Sequence, residues 1–123
     1  MAQISLGLLV LRASDLEKAL AFYRAIGLSF VQERHGSGPV HNACEIGGTV
    51  MELFPGDPGT APACKSGGST MLGFSVSALD ETLKTLANLG HFPISPPKDS
   101  AWGRRAVVTD PDGRAVELNE AKI

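Results

Sequence analysis

The chain is 123 residues long, enough for one domain with a real hydrophobic core. Its 43% hydrophobic and 20% charged residues are the balance of a soluble globular domain, which sets aside disordered and fibrous classes. A formal net charge of −2, with Arg104-Arg105 the only adjacent basic pair, argues against a nucleic-acid partner.

The apolar run at 4–11 lacks a basic lead, and nothing reaches membrane-spanning length, so neither a secretory signal nor a membrane partner is expected. Cys44 and Cys64 show no CxxC spacing and are expected as reduced thiols in a cytoplasmic protein.

Residues 4–12 predict a strand, with Leu9 and Leu11 on one side and Leu6, Leu8 and Val10 on the other. Apolar on both faces, it belongs in a sheet interior. Ser14 is placed as an N-cap, with Glu17 completing a capping box. Leu16, Ala19, Leu20, Tyr23 and Ile26 then recur at helical spacing until Gly27 ends the helix. Strands are predicted over 28–33 and 40–46, separated by a turn at 35–39. Gly47-Gly48 makes a hairpin into the strand that carries Glu52.

Pro and Gly crowd the stretch 55–69, which reads as a linker. A second unit follows. It comprises a strand over 70–76, a helix opened by Ser77 with Asp80 and closed by Gly90, and strands over 92–95 and 104–109. A Pro-rich loop spans 96–103 and contains Trp102, the only tryptophan. Asp110-Pro111-Asp112-Gly113 is a strong turn, and it leads into the strand bearing Glu117.

The two units match each other. Gly48-Thr49-Val50-Met51-Glu52-Leu53 and Gly113-Arg114-Ala115-Val116-Glu117-Leu118 share a Gly-x-x-x-Glu-Leu pattern at an offset of 65. Upstream, Ser14 pairs with Ser77, Leu20 with Leu83 and Gly27 with Gly90 at an offset of 63. The chain is therefore read as α+β, with two tandem βαβββ modules (1–54 and 70–123) joined by the linker 55–69 into one domain. The sheet faces away from the helices would form a cleft for a ligand.

Glu52 and Glu117 share the cleft-facing parity of the two last strands, where a carboxylate can ligate a metal or act as a general base. The competing expectation is pairing to a nearby cation, Arg12 or Arg104. His41 on a middle strand is read first as a surface histidine, with a place in the cleft as a ligand or proton carrier as the alternative. His35 in a turn and His91 after a helix are read as structural. Trp102 is read as a residue anchoring its loop, or as a wall that stacks against a flat ligand.

Ser14-Asp15-Leu16-Glu17-Lys18-Ala19-Leu20-Ala21-Phe22-Tyr23 with Gly27-Leu28 resembles the vicinal oxygen chelate superfamily. So does Trp102-Gly103-Arg104 ahead of Asp110-Pro111-Asp112-Gly113 and Glu117-Leu118. That superfamily includes glyoxalase I, bleomycin-resistance proteins, fosfomycin-resistance enzymes, extradiol dioxygenases and methylmalonyl-CoA epimerase. The resemblance covers essentially the whole chain and implies a curved mixed β-sheet cleft and a homodimer.

It also implies that metal ligands, where present, come from the first and last strands of each module. Those positions fall here on Leu8, Glu52, Met71 and Glu117. Leu8 has no donor and the Met71 thioether is a poor ligand for hard cations. The expectation is a protein that binds a small organic ligand or drug, with Leu8, Met71, His41, Trp102 and Arg104 at the site and no cofactor. The alternative is a lyase or epimerase of the glyoxalase I type using a divalent metal (Zn, Mg, Mn, Ni or Fe). In it, Glu52 and Glu117 would be the metal ligands and catalytic groups.

Overall fold

A computed structural model describes residues 3–59, 70–101 and 103–121. Most of the predicted linker, Cys64 and Trp102 lie outside the described residues.

In chain order the elements are β1 (Leu8–Ala13), α1 (Leu16–Ile26), β2 (Val31–Glu33), β3 (His41–Ile46) and β4 (Thr49–Pro55). Then come β5 (Met71–Ser75), α2 (Leu79–Asn88), β6 (Lys98–Ser100), β7 (Gly103–Thr109) and β8 (Ala115–Ala121). They build two four-stranded sheets, ordered β1-β4-β3-β2 and β5-β8-β7-β6. In each the first strand runs parallel to the last and the remaining pairs are antiparallel. The α+β architecture of two βαβββ units is the one expected from the repeat.

Several boundaries differ. β1 starts at Leu8 rather than at residue 4, because its partner strand β4 offers Val50 as the first register position and leaves Ile4 and Leu6 exposed. The predicted strand over 92–95 does not form, and the second strand of module two is Lys98–Ser100. Pro93 removes a donor from the earlier stretch, while the residues after Pro97 are free to pair with β7.

Helix capping also moves. Asp15, not Ser14, is the N-cap of α1, accepting from the Lys18 amide at 3.2 Å. Ala78 caps α2 without a side-chain bond; instead the Glu120 carboxylate of β8 accepts from the Leu79 amide at 2.7 Å. Asp80 is drawn away to Arg104 (3.2 Å) and does not close a capping box.

Apolar parity explains the layers. Leu11, Met51 and Leu53 of the first sheet, with Ala106, Val108, Val116 and Leu118 of the second, turn to the helices and form one core with Phe22, Tyr23, Leu79 and Leu86. α1 packs on α2 and β4, and α2 on β8. The Asp110-Pro111-Asp112-Gly113 turn staples the modules together. Buried Asp110 accepts the Tyr23 hydroxyl (2.7 Å) and one Arg114 guanidinium nitrogen (2.9 Å). Asp112 accepts the Ser14 hydroxyl (2.6 Å), and Arg114 donates to the Arg12 carbonyl. Among the described residues no helix is long and apolar enough to cross a membrane.

Candidate functional site

Each sheet has one face on the shared core and one face free of helices, here called the open face. Strand register fixes what the open faces carry, since paired residues share a face. In the first sheet Val10, Glu52, Ala43 and Val31 form one row. The next row holds Arg12, Phe54, His41 and Glu33. In the second sheet the corresponding rows are Gly73, Glu117, Val107 and then Ser75, Asn119, Arg105, Lys98.

Glu52 and Glu117 therefore sit at equivalent places on two separate sheets, each with a different partner. Glu117 pairs with Arg105 at 2.7 Å. Glu52 lies 3.3 Å from His41 Nε2. Neither expected cation is the partner. Arg12 lies over the Phe54 ring (5.6 Å to its centroid), and Arg104 turns to the helix side and pairs with Asp80. Arg104, expected at the ligand site, therefore lies on the helix side of the second sheet. Strand alternation puts Arg105 on the open face in its place.

His41 is buried, with 1% of its surface exposed. Phe54 stacks on its ring at 4.1 Å and 9°. Its Nδ1 faces the Pro39 carbonyl at 3.2 Å, and its Nε2 lies 3.2 Å from Glu33 Oε1. Glu33 Oε1 also lies 3.2 Å from His35 Nε2. Burial opposes charge on His41, but the Pro39 carbonyl and the Glu33 and Glu52 carboxylates outweigh it and raise its pKa above 6.5. The slight desolvation of Glu33 is outweighed by bonds from His41 and His35, which lower its pKa below 4.5.

Glu33, His35, His41 and Glu52 thus form a group that could hold a metal ion. Sequence reasoning faced Glu52 to the cleft, favoured a surface place for His41 that its burial overturns, and missed Glu33 and His35. The signal was the Glu-x-His spacing at one end of a turn with His41 at the other.

The four positions that the resemblance implied as metal positions were Leu8, Glu52, Met71 and Glu117. Leu8 and Met71 lie on the open faces but supply no hard donor, and Glu117 is held by a permanent cation. On the second sheet a cavity of about 340 Å³ is lined by Gly73, Ser75, Arg105, Glu117 and Asn119 among others.

Two βαβββ units, each with its helix on one face of a four-stranded sheet, define the fold class. The chain belongs to the Glyoxalase/Bleomycin resistance protein/Dioxygenase superfamily, whose model matches residues 5–118. Similar solved structures include TnmS3, an antibiotic binding protein from Streptomyces sp. CB03234. It is 27% identical with a TM-score of 0.70, and 99% of each chain is covered. TioX from Micromonospora sp. ML1 is 24% identical with a TM-score of 0.66, covering 96% of this chain and 99% of that one. Fosfomycin resistance protein FosX from Mesorhizobium loti is 17% identical with a TM-score of 0.69, covering 100% and 94%. The last two likenesses bear on the fold alone. No curated protein sequence matches the chain at a significant level.

Proposed function

We propose that this cytoplasmic protein binds a small organic molecule of antibiotic size on the open faces of its sheets, without the family's metal row. The observation that carries this reading is the replacement of two metal donors by Leu8 and Met71, exposed at 55% and 49%. They leave apolar surface where the family's metalloenzymes keep ligands. The cavity beside Arg105 and Glu117, at about 340 Å³, falls in the size range of small-molecule sites. The likeness to an antibiotic binding protein at 27% identity supports the same reading.

A metal-dependent lyase or epimerase using Glu52 and Glu117 is less well supported, because each glutamate is engaged within its own sheet. A homodimer is part of the proposal. Leu8, Val31, Val50 and Met71 are all exposed on the open faces, and a second copy would cover them.

The test is a thermal-shift screen of planar aromatic antibiotics against the chelator-treated protein, followed by calorimetry of the hits. A hit should raise the melting temperature with ligand concentration, as binding to the folded state requires. Arg105→Ala should weaken it. Hits that bind only after divalent metal is restored would sink the reading. Light scattering should give a dimer, and a monomer at micromolar concentration would remove that part.

A further inference from the structure

We infer that module one carries a site for a borderline transition-metal ion such as Zn²⁺, Ni²⁺ or Co²⁺, built from Glu33, His35, His41 and Glu52. Only Glu52 belongs to the family's usual ligand row. Of the other three donors, Glu33 and His41 stand one row further along the sheet and His35 lies in the loop between β2 and β3. The site goes beyond the ligand-binding reading and does not depend on it.

The His41 ring is the fixed donor of the group. A carbonyl oxygen only accepts, so the Pro39 contact fixes a proton on His41 Nδ1. In the neutral ring Nε2 is then a bare lone pair. It points at two carboxylate oxygens, Glu33 Oε1 at 3.2 Å and Glu52 Oε2 at 3.3 Å. Three electron-rich atoms facing one another need a cation between them. A proton on Nε2 can serve, and so can a metal ion. A backbone carbonyl on the far nitrogen is also the usual way a metal-ligating histidine is oriented.

Distances and donor type point to the metal. All four donor atoms lie within 4.8 Å of one another. Three neighbouring separations are 3.2, 3.2 and 3.3 Å. Ligands about 2.0–2.1 Å from a tetrahedral ion stand about 3.3–3.4 Å apart, so these separations already have the length of tetrahedral edges. His41 is locked by burial and by Phe54, whereas the exposed His35 and partly exposed Glu33 can close the remaining gap. Two imidazoles with two carboxylates suit Zn²⁺ and its neighbours, while Mg²⁺ and Ca²⁺ prefer all-oxygen shells.

Two hydrogen bonds within the hairpin loop support its shape. The Gly38 amide donates to the His35 carbonyl (3.0 Å), and Arg34 Nε donates to the Gly38 carbonyl (2.9 Å). Among its described residues module two offers no such group, and Arg105 pairs with its glutamate.

The experiment is isothermal titration of untagged, chelator-stripped protein with Zn²⁺, Co²⁺ and Mg²⁺. One equivalent of Zn²⁺ and of Co²⁺ should bind, with visible Co²⁺ bands of a four-coordinate site and no uptake of Mg²⁺. His35→Ala and Glu33→Gln should each weaken binding at least about tenfold. Their metal-free melting and circular dichroism should match the wild type, and His91→Ala should bind normally. Absence of stoichiometric binding, equal affinity for Mg²⁺, or unchanged affinity in both hairpin variants would overturn the inference.

Discussion

The open faces of the two modules carry the same glutamate and answer it differently. On the first sheet Glu52 faces a histidine, and the adjoining row reads Arg12, Phe54, His41, Glu33. On the second, Glu117 faces an arginine, and the adjoining row reads Ser75, Asn119, Arg105, Lys98. A guanidinium stays charged at any accessible pH, so it neutralises Glu117 and leaves a polar, cationic cavity wall. An imidazole can give up its Nε2 proton, so Glu52 keeps the option of a shared metal. Internal repetition has thus preserved the scaffold while the rows beside the glutamates diverged in chemistry.

The largest expected effect breaks the second sheet alone. A Cβ at Gly103 would lie 2.1 Å from the Glu120 carbonyl oxygen, and its φ of +138° also disfavours a side chain. Gly103→Ala should cost about 3 kcal/mol or more, read by urea denaturation. Next is the joint between the modules. Tyr23→Phe removes the hydroxyl donor from buried Asp110 and should cost about 1–2 kcal/mol. The equivalent position in module two is the apolar Leu86, so no comparable bond exists there.

Burial first, and then the Asp110 carboxylate, push the Tyr23 pKa far above 10. The folded state therefore keeps a proton that the unfolded chain releases above about pH 10. Stability from this group is complete below that pH and falls as pH rises beyond it. In an alkaline titration followed by absorbance, phenolate from this single tyrosine should appear together with unfolding. A smooth titration near pH 10 in the folded protein would contradict the buried bond. The smallest effect is on the second open face. The Arg105–Glu117 pair is partly exposed, so Glu117→Gln should change stability by less than about 1 kcal/mol while altering ligand affinity.

Much of this architecture was legible in the sequence. The repeated Gly-x-x-x-Glu-Leu pattern gave both last strands and the facing of Glu52 and Glu117 correctly, because strand parity is set by alternation alone. The register of the short strands was not legible. A one-residue uncertainty in the Gly103–Thr109 strand exchanged Arg104 for Arg105, and with it the partner of Glu117. His35 was read as a turn residue because its turn position says nothing of the three-residue β2 strand, which brings Glu33 beside His41. The caps failed for a tertiary reason, since Ser14 was claimed by Asp112 of the β7–β8 turn and Asp80 by Arg104 of β7.

The central claim is that ligand binding on the open faces does not use the family's metal row. It is tested most directly by calorimetric titration of one screened antibiotic into the same protein before and after exhaustive chelation. The account predicts equal affinity and stoichiometry in both titrations. Loss of binding on chelation, restored by one equivalent of divalent metal, would contradict it.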